Sequence, residues 1–510
     1  MHVEISRPLH KALYLRAIKL MSAKYQSEVS NRPIKILLGL AVGIFLAALD
    51  QTVMATASPT IAASFNHLSN QAWLLTAYLV PSLITTPIYG RLSDGFGRRP
   101  LFLAALILFL TGSLIGVFSP NLNVLLFGRM VQGLGAGGLF SLAFAVIADI
   151  LPPRERSKYV FLFVAIFGSA SLLGPMIGGI IATQAKIFGI TGWRWIFIVN
   201  LPITLIAALL ALRYLHVNQR LKKERFDWFG VLFFTVFIVA LLLRSQTSSS
   251  LILSSMKLEL NLVGIFSFLA FLYEERRQGL SALMPLTFFR NRLFSRTLIA
   301  SAIGNSGMFV GLAMIPLLMQ VVHGVSPLVA GSILLPMGIG NLLGSGIASR
   351  SISTNEKYRW IVIAGLFSYS VGFLLLSISI QIRTVIVAVI VLGFGSGLVT
   401  QFTSVTAPYA LGDLHRGSGS SINTFIRQFG GVLGAGLSLA LLFSRWHIRD
   451  GFVLTALKYP VIHFSLEARQ NFMAAAHPVF LITFLTMVVT TLFLRSLPQD
   501  QARQISSITD

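Results

Sequence analysis

Fourteen stretches of the 510-residue chain are long and apolar enough to cross hydrocarbon about 30 Å thick, a distance that takes roughly 20 helical residues. They fall near 36–57, 72–91, 101–119, 122–149, 158–183, 194–214, 228–244, 257–273, 295–320, 327–349, 359–379, 384–410, 418–444 and 477–495. Lipid offers the backbone no hydrogen-bond partners, so runs of this kind have to be helices. The expected fold is therefore an all-α polytopic membrane protein. Composition agrees, with 55% hydrophobic and 11% charged residues. The longest connection, 446–476, is too short and irregular for a soluble domain.

The formal net charge of +23 would suit a nucleic-acid binder if the charges formed one surface. They instead cluster in alternate connections, at 152–158, 219–225 and 274–278, while 119–123 and 321–327 hold no Lys or Arg. That is the pattern of the positive-inside rule. It implies a multi-pass protein of the cytoplasmic membrane with both termini inside, the lipid bilayer as its surroundings and no nucleic-acid partner. Trp73, Trp193, Trp195, Trp228 and Trp360 lie at run ends, where an interfacial aromatic belt places them. The basic segment 1–35 reads as a cytoplasmic tail or as an amphipathic helix on the inner leaflet, and it lacks the continuous apolar core of a signal peptide.

Chemistry inside the bilayer separates a transporter from an enzyme or a channel. Cysteine is absent, and the nine histidines are scattered with no HExxH and no two at ligand spacing. No metal or cofactor is expected. Gly133-Leu134-Gly135-Ala136-Gly137-Gly138 satisfies GxGxxG but follows no strand, so its glycines read as close helix packing rather than a dinucleotide loop.

Of the seventeen acidic residues only Asp50 lies deep in an apolar run, and the deep arginines are Arg129 and Arg427. Counting helical turns puts Asp50 and Arg129 in the same half of the membrane, a plausible pair. Such a pair is either static helix packing or a proton-loading site. In the second case a carboxylate that burial pushes towards the neutral form, and an arginine towards the charged one, can exchange a proton as the helices move.

Several motifs then resemble the major facilitator superfamily, and within it the fourteen-helix drug:proton antiporters. GRLSDGFGRRP (90–100) is similar to the signature between helices two and three, FGRMVQGLGAGG (127–138) to the arginine-bearing helix four, and ASLLGPMIGG (170–179) to the antiporter motif of helix five. LDQTVMATASPTI (49–61), GWRWIFIVNLP (192–202) and NTFIRQFGG (423–431) resemble that branch as well. The resemblance implies a six-helix bundle over 36–214, a link with inserted helices seven and eight over 215–290, a second six-helix bundle over 291–495 and a cytoplasmic tail over 496–510. It implies a cytoplasmic latch at Gly90, Arg91, Asp94, Gly97, Arg98 and Arg99, a bendable helix five at Gly174, Pro175, Gly178 and Gly179, a helix-thirteen motif at Arg427, and proton coupling at Asp50 and Arg129.

The function implied is proton-driven efflux of lipophilic or amphiphilic small molecules by a monomer, with the proton gradient as energy source. A dedicated exporter of one endogenous metabolite, lipid or peptide carries the same signature and stays open. Helices nine to fourteen hold no embedded acid, so neutral or monocationic cargo is expected over dications.

Overall fold

The computed structural model describes residues 35–495 except 55–56, 59, 63, 66–70, 152, 184–185, 216–226, 246–255, 326, 355–358, 413–414 and 447–465. The expectations for both tails, for the basic cluster at 219–225 and for most of the 446–476 connection lie outside the described residues.

The first set of long helices is α1 Lys35–Met54, α2 Gln71–Phe96, α3 Arg98–Phe118, α4 Leu122–Ile150, α5 Pro153–Thr183 and α6 Trp195–Tyr214. Two helices follow, α7 Trp228–Ser245 and α8 Lys257–Gln278. The second set is α9 Arg292–His323, α10 Leu335–Thr354 with a short lead-in Pro327–Ser332, α11 Arg359–Ile378, α12 Ile382–Ala410, α13 Arg416–Arg445 and α14 Leu466–Leu494. Among the described residues ten helices are long and apolar enough to cross a membrane, and α2, α5, α7 and α8 fall outside that group. The apolar part of α7, Trp228–Leu241, is short, and α8 carries polar and charged residues at both ends.

Glycine decides how the two sets are built. In α4, Gly133 and Gly137 face backbone carbonyls of Tyr78 and Ser82 on α2, while Gly135 faces Ala105 on α3. A Cβ on any of them would run into backbone, so α4 is wedged between two neighbours at a distance only glycine permits. The same device recurs in α12 at a constant offset along the chain. Gly393 and Gly397 face Met337 and Asn341 on α10, and Gly395 faces Gly365 on α11. The glycines of GFGSG over 393–397 are thus a second copy of one packing unit.

The two sets meet at one end, the end carrying the 90–100 turn. Ser141 on α4 bonds Ser421 on α13 at 2.7 Å, the Ser418 hydroxyl donates to Asp94 Oδ2 at 2.7 Å, and Gln401 on α12 donates to the Ser157 carbonyl of α5 at 2.5 Å. The pair α7/α8 lies along the seam on this side. Phe234 and Ile238 of α7 and Phe271 of α8 share one apolar cluster with Leu83 and Ile84 of α2, with Phe294 and Leu298 of α9, and with Ile422 and Phe425 of α13.

Candidate functional site

Asp50 lies four residues before the end of α1 and is 1% exposed, facing Arg129 of α4, which is 0% exposed. Arg129 Nη1 donates to Asp50 Oδ2 at 2.5 Å. The two residues singled out by depth are thus in direct contact. Around them stand groups that the charge census did not mark. Asn200 Nδ2 of α6 donates to Asp50 Oδ1 at 2.8 Å, and Gln132 Nε2 approaches the same oxygen at 3.5 Å. Gln132 Oε1 accepts from Arg129 Nη1 at 2.8 Å, and its amide nitrogen donates to Ser113 of α3 at 2.8 Å. Arg129 Nε reaches the Leu74 carbonyl of α2 at 3.2 Å, and its guanidinium carbon lies 4.4 Å from the centroid of the Tyr78 ring.

Five helices therefore converge on one ion pair. Their local structure explains why. Asn121 caps α4, its Oδ1 accepting from the Val124 amide at 3.0 Å, and the glycines above bring α2 and α3 to within reach of Arg129 and Gln132. Arg194 ties the start of α6 to the end of α3 by donating to the carbonyls of Val117 and Ser119, which sets the height of Asn200 one and a half turns on. A buried ion pair is stable only when its remaining donors and acceptors are satisfied, and here one donor, Arg129 Nη2, has no partner.

Thr52, two residues along, ties α1 to α5. Its Oγ1 donates to the Ala170 carbonyl at 3.0 Å, and a Cβ on Gly174 would strike the Thr52 side chain. Gly174 is therefore a close-approach glycine, and Pro175, Gly178 and Gly179 follow in the same helix.

The 90–100 segment divides its work. The turn itself falls on Gly97, at φ 90°, where a side chain would be strained, while Gly95 lies in the last turn of α2. Arg98, 2% exposed, donates to Asp149 Oδ2 of α4 at 2.9 Å, pairs with Asp94 Oδ1 at 2.9 Å and bonds Ser93 Oγ. Asp94 also receives Ser418 of the second set, and Gly417 and Gly90 leave the room that lets the two sets touch. Arg99 points elsewhere, donating to the Leu212 carbonyl of α6 at 2.6 Å.

Arg91 joins neither group. It donates to the Leu280 carbonyl at 2.5 Å, just past α8, and lies in the field of Asp227 and Glu275. Asp227 caps α7 through the Gly230 amide at 2.8 Å, and both oxygens of Glu275 accept from the Met284 amide at 3.1 Å. Burial pushes the Glu275 carboxyl up to about 8, with Asp227 adding to the rise and the Met284 amide and Arg91 opposing it. Asp227 is raised in the same way, first by burial and then by Glu274. Arg427 is placed apart from all of these, on α13 near Ser404 and Phe144.

Asn200, Gln132, Tyr78, Asp149 and Ser418 are the participants that sequence reasoning missed. Asn200 closes the GWRWIFIVN stretch, and Gln132 follows Arg129 by one turn, so each stood inside a segment already marked.

Two helical sets that close on each other at one end, one of them holding a sealed ion pair, form the architecture of a solute transporter rather than an enzyme. The chain belongs to the Major Facilitator Superfamily, matching it over residues 40–435. It is 33% identical over 408 residues to Multidrug resistance protein 3 of Bacillus subtilis (strain 168), covering 78% of this chain and 77% of that one. It is 31% identical over 465 residues to the multidrug transporter protein MdtP of the same organism, covering 89% and 82%. Among solved structures, the human organic anion transporter MFSD10 (TETRAN) superposes with a TM-score of 0.61 over 89% of this chain and 99% of that one. At 15% identity that likeness speaks for the fold alone.

Proposed function

We propose that the protein is a proton-coupled antiporter that exports lipophilic or amphiphilic small molecules across the cytoplasmic membrane by alternating access. The observation that carries this reading is the Asp50–Arg129 pair, held at 2.5 Å with both side chains 0% exposed, so that a proton reaches the carboxylate only when the surrounding helices move. The names of the two Bacillus relatives support drug-like cargo. In this reading all fourteen long helices span the bilayer, and residues 36–214 and 291–495 are the bodies that rock.

The placement of Lys and Arg supports both termini and the 90–100 turn facing the cytoplasm, which makes the closed end the inner one. Substrate enters from the cytoplasm or inner leaflet while Asp50 is ionised against Arg129, and protonation from outside releases it and allows the return. The second set has no embedded acid, which supports neutral or monocationic cargo over dications, handled by a monomer. The test is Asp50→Asn in proteoliposomes. Loss of pH-gradient-driven transport, with the fold intact, is the expected result, and full retention overturns the coupling role.

A further inference from the structure

Arg427 is the membrane-depth cation that proton coupling leaves unused. It stands about three turns into α13, roughly 9 Å further along the helix than Ser421, whose bond to Ser141 closes the inner end. It therefore sits just above the floor of any cavity that opens between the two sets. Its Nη1 donates to Ser404 Oγ of α12 at 3.2 Å, and its guanidinium carbon lies 5.2 Å from the ring centroid of Phe144, a residue of the opposite set. Asn305 of α9 donates to its backbone carbonyl at 2.7 Å and fixes its height.

Unlike Arg129, Arg427 has no carboxylate within 4 Å among the described residues, and its side chain is half-buried rather than sealed. A guanidinium kept at such depth with a single neutral hydrogen-bond partner retains most of its donors for something else. Asn423, one turn earlier on the same helix, buries a carbonyl oxygen without a partner, as does Gln401 one turn from Ser404. The Arg427 guanidinium thus brings a planar cation against an aromatic face, with one unpartnered acceptor a turn away along each of α13 and α12.

We propose that Arg427, with Ser404 and Phe144, receives the acidic oxygen of a carboxylate-bearing amphiphile, while Asn423 and Gln401 accept from its N–H or O–H groups. Charge-assisted bonds from a guanidinium to a carboxylate are the strong member of this set, and the Phe144 ring packs against the apolar body. This rests on the efflux reading and narrows it. A net-neutral zwitterion carries the required oxygen, and a plain monocation does not.

The test uses the full chain in nanodiscs with two fluorescent probes. One is rhodamine B, a zwitterion with a free carboxylate, and the other is its ethyl ester, a monocation of nearly the same shape. Wild type is expected to bind the acid roughly tenfold more tightly than the ester. Arg427→Gln brings that ratio to about one by weakening the acid alone, the unchanged ester affinity showing that the protein is folded, and Arg427→Lys keeps part of the preference. Equal affinities in wild type, a ratio that survives Arg427→Gln, or binding of neither probe overturns the assignment. Failure of the efflux reading is seen separately, as absence of protonophore-sensitive ester transport in proteoliposomes.

Discussion

A carboxylate and a guanidinium buried together depend on the neutral groups around them. Asn200 gives Asp50 its one short amide bond, at 2.8 Å, and a hydrogen bond to a charged group is worth about 1.5–3 kcal/mol. Asn200→Ala is accordingly expected to lower stability by that amount, read as a fall in the unfolding midpoint of the detergent-solubilised protein. An unchanged midpoint would mean that the α6 contact carries no load. The contrast between what was and was not legible here is physical. A charge in hydrocarbon is so unfavourable that its position alone points to Asp50 and Arg129, whereas amides and hydroxyls such as Gln132, Asn200 and Ser418 are tolerated widely in membrane helices and give no such signal. The latch residues show the same limit. Their motif groups Arg91, Arg98 and Arg99, yet Arg91 reaches the chain just past α8, Arg98 reaches α4 and Arg99 reaches α6.

At the scale of elements, hydropathy located the long helices but not their ends. α4 and α13 end within two residues of their apolar runs, but α2 continues to Phe96, α5 begins at Pro153 and α14 begins at Leu466, inside the connection expected over 446–476, and the run at 327–349 breaks into a lead-in and α10. Hydropathy reports the lipid, and these ends face water or protein. The α4 glycines read as close helix packing from their spacing, while their partners on α2 and α3, and the matching glycines of α12, lie far off along the chain. It makes a sharp expectation. Gly397→Val places methyl groups against the Asn341 and Ser345 backbone and is expected to cost about 1–3 kcal/mol or to prevent folding. Gly436→Ala, on the next helix, meets nothing within 4 Å and is expected to be silent. Equal expression and melting of the two variants would sink the wedge argument.

For the whole molecule, the pair α7/α8 lies as a strap across the seam, touching both sets through its phenylalanines and fastened to α2 by Arg91. Glu275 lies at that fastening, with a carboxyl pushed by burial up to about 8 from an ordinary 4.5. A raised folded value means that the contact is fully favoured below pH 4.5 and weakens as pH rises through about 8, when Glu275 ionises beside Asp227. Hydrogen exchange over residues 279–284 is expected to quicken between pH 6 and pH 9, beyond the intrinsic chemical rate, and Glu275→Gln is expected to flatten that extra dependence. A wild-type profile already flat would exclude the buried carboxyl as its source.

The closed end has one more consequence. Of its cross-set hydrogen bonds, those at Ser141 and Gln401 are each the kind worth about 1 kcal/mol net, and that of Ser418 to the Asp94 carboxylate the kind worth about 1.5–3 kcal/mol. Together they weight the arrangement shut at this end over its opposite by on the order of a thousandfold, a shallow preference. A single proton or a single cargo molecule that favours the other arrangement by the same few kcal/mol evens the two populations. In the alternating-access reading proposed above the protein is thus poised as a balance, its direction of turnover set by the gradients on either side of the membrane rather than by the shape in which it rests.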